Sequence, residues 1–252
     1  MRRALVALVL AAAAASIPGA AAGRGIGLSA SPLRLTLKGT SAAAITVRNP
    51  GRRAVLVNVS RAGFARTLRG KPQVRPAAGS VAAWLRFRPR RIQIAPGGKR
   101  VLHVHAASPR RAGPGDHPAL VLLTTRPLGV RHVRVRLRVG VVVDLRVRGR
   151  IVRRLDARAL TVRSRGARRL LELRLVNRGN VTERLGGERL RLALLRNGRT
   201  LATLRPRRSE LLPHSAGLVV FVYRGSVRGT VRARIELHPP GRSHLRAFWI
   251  RL

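Results

Sequence analysis

RHVRVRLRVGVVVDLRVR, residues Arg131–Arg148, is the stretch from which the fold is read. Its odd positions are apolar: Val133, Val135, Leu137, Val139, Val141, Val143, Leu145 and Val147. The even ones are mostly polar: His132, Arg134, Arg136, Arg138, Asp144, Arg146 and Arg148. A period of two buries one face and wets the other, which is the signature of a β-strand. At about 3.3 Å per residue the strand would run ~50 Å, longer than strands usually are. Gly140, beside a Val141–Val143 run apolar on both faces, is expected to bend it. The stretch lies near mid-chain, so it reads as the closing strand of one β domain that leads into a second.

The flanking chain agrees. Leu33–Leu37, Ala44–Arg48 and Val55–Val59 alternate like strands, and Asn49-Pro50-Gly51 supplies a turn. Ser60–Val81, with Gly63, Gly70, Pro72, Pro76 and Gly79, reads as a long surface loop with a short hairpin around Thr67–Val74. Trp84–Arg88, Ile92–Ile94, Arg100–Ala106 and Ala119–Thr125 continue the series. Short strands punctuated by Gly and Pro, with no helical period, predict a sandwich.

The second half echoes the first. Leu171–Gly179 repeats Ile45–Gly51, with Asn177-Arg-Gly179 standing for Asn49-Pro-Gly51. Leu212–Phe221 repeats Ala95–Val104, and Gly229–Ile235 repeats Gly115–Val121. Arg246–Leu252 is the closing strand of the second copy, and the join falls near Arg148-Gly149-Arg150. The expected fold is all-β: two tandem immunoglobulin-like β-sandwich domains, 26–148 and 149–252, after an N-terminal signal peptide at 1–22. The signal is read from Arg2-Arg3, the apolar run Ala4–Ala15, Pro18-Gly19 and the small residues Ala20 and Ala22. That run is too short to span a bilayer, and no later stretch is long and apolar enough to do so. The chain is expected to be exported, extracellular or attached to the cell envelope.

There is no cysteine, so neither disulfides nor thiolate chemistry is available. Net charge is +45, and of 53 Lys and Arg only Lys38, Lys71 and Lys99 are lysine. Such a surface attracts anionic polymers. Arginine spread evenly over every wet face, in a chain rich in Ala, Gly, Pro, Val and Leu, equally reads as a compositional drift. Aromatics make up 3% and no DNA-binding motif appears, so a specific nucleic-acid partner is not expected.

Chemistry is sparse. The eight acidic residues form no shared motif, so a glycosidase-like pair has no support. His103 and His105 share one strand face without a third ligand, and read as solvated. Nucleophile elbows and phosphate loops are missing. A non-enzymatic protein without cofactor or metal is expected. Gly115-Asp116-His117 is the most specific polar trio: Asp116 caps a turn through its own backbone, or with His117 forms a loop site at a strand mouth. Trp84 and Trp249 read first as core, although the Trp84 indole also suits stacking on a sugar ring. The candidate ligand set is therefore Trp84, Asp116 and His117.

The order VRNPGRRAVLVNV, WLRFRPRRIQIAPGGKRVLHV, AGPGDHPALVLLTT and then a long alternating strand resembles the WxL-interacting cell-surface proteins of Gram-positive bacteria. More distantly it is similar to periplasmic pilus chaperones, which are two Ig-like domains joined after a long alternating strand. The first resemblance covers roughly Leu28–Val147 and implies a peptidoglycan-binding domain, with cell-wall glycan or a cell-surface protein as partner. WxL-interacting proteins usually end in a membrane-spanning helix, whereas this sequence ends in the strand at Leu252. The second resemblance implies an assembly factor that adds a strand to a partner's sheet. Arg134, Val135, Arg136, Leu137, Arg138 and Val139 would then form the partner strand, unless it is an ordinary internal strand with its arginine face in solvent.

Overall fold

The computed structural model describes residues 27–130, 133–166, 168–186, 189–207, 209–238 and 244–252. The signal read at 1–22 lies outside the described residues, as do Arg131 and His132 of the mid-chain stretch.

The first half holds β1 (Ser29–Ser31), β2 (Arg34–Lys38), β3 (Ser41–Arg48), β4 (Val55–Arg66), β5 (Pro72–Arg75), β6 (Leu85–Arg88), β7 (Arg91–Ile94), β8 (Lys99–Ala106), β9 (Gly115–Thr125), β10 (Leu128–Val130), β11 (Val133–Val135) and β12 (Arg138–Val147). One sheet has the order β1–β3–β8–β6; the other is β2–β12–β9–β4–β5, with β7 also on β4. The second half holds β13 (Leu155–Arg165), β14 (Arg168–Asn177), β15 (Glu183–Leu185), β16 (Leu190–Arg196), β17 (Arg199–Leu204), β18 (Ser209–Leu211), β19 (Ala216–Tyr223), β20 (Thr230–Leu237) and β21 (His244–Arg251). Its sheets are β13–β14–β19 and β17–β16–β20–β21, with a small β15–β18 pair. The fold is all-β, two sandwiches in tandem. Among the described residues no helix is long and apolar enough to cross a membrane.

Alternation builds each core. Ile45 and Val47 from β3 meet Val141, Val143 and Leu145 from β12 in one buried cluster, and Leu171, Leu173 and Leu175 from β14 meet Val231, Ala233 and Ile235 from β20 in the other. Each fully buried side chain of this size contributes about 1.5–3 kcal/mol relative to exposure. Without cysteine, that burial must hold the chain together.

The sequence echo appears as geometry. Asn49 is fully buried; its amide donates to the carbonyls of Arg53, Ile94 and Ala95, and its Oδ1 accepts from Gly51 N–H. Asn177, also fully buried, donates to Val181, Leu211 and Leu212 and accepts from Gly179 N–H. In both halves the turn carbonyl lies four residues on, and the other two precede a proline, Pro96 or Pro213. The closing strands match too, β12 against β9 and β21 against β20.

Three expectations change. The mid-chain stretch is not one strand: Val133–Val135 folds back on Leu128–Val130 as a short hairpin, and the break falls at Arg136-Leu137 instead of Gly140. Gly140 itself pairs with Leu122 inside β12. The doubly apolar run at Val141–Val143 has another cause: Val142 packs on a cluster of Ala62, Phe64, Leu120, Leu122 and Leu212, the last from the second sandwich. Apolar side chains on a sheet's outer face mark the joint between the halves.

Ser60–Val81 is also more ordered than a loop. β4 runs on to Arg66, β5 pairs with Gly63–Arg66, and a 3₁₀ turn covers Val81–Trp84. The hairpin tip reaches the second sandwich, where Leu68 O accepts from Leu218 N–H at 2.6 Å. Trp249 is 74% exposed and is not core.

Candidate functional site: a half-open strand beside a basic cleft

β12 is paired on one side along its whole length and on the other along only part of it. It runs antiparallel to β9 from Arg138↔Thr124 to Val147↔Gly115, and β2 lies parallel to it only from Val142 to Arg146. Among the described residues no strand faces Arg138–Val141 on that second side. Antiparallel ladders alternate the direction of the peptide groups. Leu137 bonds to Thr125 (its O to Thr125 N–H at 2.9 Å, its N–H to Thr125 Oγ1 at 3.0 Å), and Val142 N–H turns the other way to Leu33 O at 3.0 Å. The backbone groups of Arg138 and Gly140 therefore point out of the sheet on the side where no strand among the described residues meets them. Arg136 and Arg138 are exposed at this edge, Leu137 and Val139 are half-buried, and Val135 is exposed. Unpaired backbone of this kind accepts another strand, and arginines there discourage indiscriminate pairing.

Beside this edge the two sandwiches meet through carboxylates. Glu210 accepts from Arg34, including Nη2 at 3.0 Å, and from Arg66 Nη2 at 2.8 Å. Glu172 accepts from Arg69 Nη1 at 3.0 Å. A cleft of about 680 Å³ opens here, with Arg34, Arg66, Arg69 and Arg184 around Glu210. Burial would raise the Glu210 carboxyl, but its contacts with Arg34 and Arg66 outweigh this and hold it below its ordinary value. Asp144 differs: burial dominates and raises it against the attraction of Arg34, whose Nε is 3.3 Å away, and its Oδ1 has no hydrogen-bond partner among the described residues.

The signs oppose each other. Glu210, depressed in the fold, stabilises above the ordinary carboxylate pKa of about 4.3, and the gain is lost as pH falls through its lower folded value. Asp144, raised in the fold, destabilises when ionised, and protonation relieves this in acid. Asp144→Asn is expected to stabilise the chain at pH 7 by on the order of 1 kcal/mol. The advantage should shrink as wild-type Asp144 takes up its proton. Urea unfolding at several pH values checks this; a constant difference would contradict it.

The ligand trio is only partly brought together. Trp84, at the end of the 3₁₀ turn, packs half-buried on the first core and tilts at 51° to His117, 5.1 Å between ring centres. His117 Nε2 lies 2.7 Å from Gly113 O. Asp116 does not cap its own turn: its buried carboxylate accepts from Arg146 Nε and Nη2 and, across the joint, from Thr182 N–H at 2.8 Å. Gly115 permits this, since its φ is +119° and a Cβ there would lie 2.0 Å from Asn180 O. His103 and His105 are exposed on β8. The cleft residues Arg34, Arg66 and Glu210 carry no signal by spacing. Their one trace is the scarcity of acid: with eight carboxylates among 53 cations, each is expected to hold an arginine.

The sequence matches no protein-family model and no curated protein. Solved structures are similar to it. A chain from a chaperone–tip adhesin complex of CFA/I fimbriae biogenesis superposes with a TM-score of 0.51 at 8% identity, over 89% of this chain and 98% of that one. The likeness is one of fold. It extends the tandem two-sandwich plan over nearly the whole of that neighbour. A chain of the Acinetobacter baumannii CsuC–CsuE chaperone–tip adhesion subunit pre-assembly complex gives 0.47 at 15% identity, over 88% and 97%. One from the Salmonella enterica SafA pilin complex with the SafB chaperone gives 0.46 at 11%, over 90% and 98%. The WxL-interacting likeness and its glycan ligand find no support among them.

Proposed function

We propose that the chain is an exported, non-enzymatic assembly factor for surface or pilus subunits. It holds a subunit by pairing backbone along the open edge of β11–β12, over Arg134, Val135, Arg136, Leu137, Arg138 and Val139 and on to Val141. Residues 26–148 and 149–252 are its two domains. The supporting observation is the half-open strand: β2 covers Val142–Arg146 and stops, so among the described residues the outward backbone groups of Arg138 and Gly140 meet no strand and can receive a guest. Alternate side chains of such a strand fill pockets in the partner while main-chain bonds supply the affinity. The pilus-chaperone resemblance and the fold neighbours support this above peptidoglycan binding.

The test is Gly140→Pro. A Cβ at this position meets Leu122 Cδ2 at 3.6 Å, ordinary contact, and the N–H lost points outward, so the ladder to β9 survives. Co-expressed with surface subunits encoded in its genomic neighbourhood, the wild-type chain should purify with a bound subunit, and Gly140→Pro should capture about tenfold less, or ~1.4 kcal/mol. Equal capture by the two would rule out strand pairing at this edge.

A further inference from the structure

The sheet β17–β16–β20–β21 contributes none of the contacts of the joint described above. On its edge strand β21, Ile250 is buried and Phe248 packs on the core, so Trp249 between them in the alternation points outward, 74% exposed. Arg232 lies directly across from it, Arg251 is two residues along on the same face, and Arg234 sits opposite Ala247. Arg234 is paired with Glu236 at 3.0 Å; among the described residues neither Arg232 nor Arg251 has an acidic partner. Thr230 and Ala247, the other outward residues around the indole, are small. An unshielded indole therefore stands on a flat edge between guanidiniums.

We propose that this face seats the protein on an anionic phospholipid bilayer, with Trp249 at headgroup depth and Arg232 and Arg251 against lipid phosphates. The chemistry of the group selects the partner. An indole has a large apolar body and one polar N–H, and such side chains settle at membrane–water interfaces. Basic residues beside an anionic leaflet are attracted to it, and the chain's +45 charge draws it to such a surface from a distance. Single-stranded nucleic acid is the less fitting partner, because successive bases need successive aromatic platforms. Here Phe248 turns inward and leaves one.

Trp249 and Trp84 are the only tryptophans, so fluorescence reads the site directly. With vesicles of phosphatidylcholine mixed with phosphatidylglycerol, wild-type emission should shift to the blue and be quenched by lipids brominated near the headgroup. Trp249→Ala should lose both effects and bind the vesicles about tenfold more weakly. Arg232→Gln with Arg251→Gln should abolish the preference over pure phosphatidylcholine. Trp249 is exposed, so its replacement leaves the core intact. Vesicle binding equal in wild type and Trp249→Ala would overturn the proposal, as would an absence of binding. Stronger quenching by a short single-stranded oligonucleotide than by vesicles would overturn it in favour of nucleic acid.

Discussion

Asp116→Ala is expected to lower the free energy of unfolding by about 3 kcal/mol and to loosen the two sandwiches from each other. The Asp116 side chain is 4% exposed and satisfies three donors: two on Arg146, and the Thr182 N–H of the other sandwich. Alanine leaves that N–H and a partly buried guanidinium without their acceptor, and unmet donors of this kind cost more than the bond itself contributed. Because Arg146 keeps 36% of its side chain in solvent, the loss falls at the lower end of the range for a broken buried pair. A fall of roughly 6–12 °C in Tm corresponds to it. Denaturant unfolding should also broaden or split as the coupling weakens. An unchanged midpoint would mean that the joint is held elsewhere.

Asn177→Ala should be at least as severe, at about 3–5 kcal/mol, by another route. The buried amide satisfies the carbonyls of Val181, Leu211 and Leu212, and its oxygen satisfies Gly179 N–H. Removing it strands several backbone groups where water does not reach, each at about 1–3 kcal/mol, with partial relaxation limiting the sum. Asn177→Asp is expected to be worse still, since it sets a carboxylate against three carbonyls at a fully buried position. Asn49→Ala should match Asn177→Ala within about 1 kcal/mol, because its four contacts are equivalent. The sites lie in separate cores, so the double variant should show additive losses. A mild effect at one asparagine beside a severe one at the other would break the equivalence of the two halves.

Period-two alternation made most of this architecture legible. Alternation puts Val141, Val143 and Leu145 on the buried face, where they lie, and the Asn-x-Gly and Pro landmarks recur in order because each half repeats the same buried corner. Alternation records which face is dry and says nothing about what dries it. The Val141–Val143 run beside Gly140 reads as a bend because the contact of Val142 with Leu212, far along the chain, leaves no local trace. Trp249 reads as core because a large apolar residue in a strand usually is, whereas its neighbours Phe248 and Ile250 take the inward positions. The candidate site was half visible. The strand could be read at 131–148, but which part of its edge stays open depends on β2 lying parallel to it, a pairing across about a hundred residues with no signature in spacing.

That parallel pairing also acts as a doorstop. Leu33 O already holds the N–H of Val142, so a strand laid along the free edge is halted there and cannot slide further down β12. Sliding by one residue would exchange the pocket-filling side chains of a guest for its outward ones. In the proposed strand pairing, a fixed stop would remove that ambiguity before any side chain is read, and would let one host seat guests of differing sequence in a single alignment.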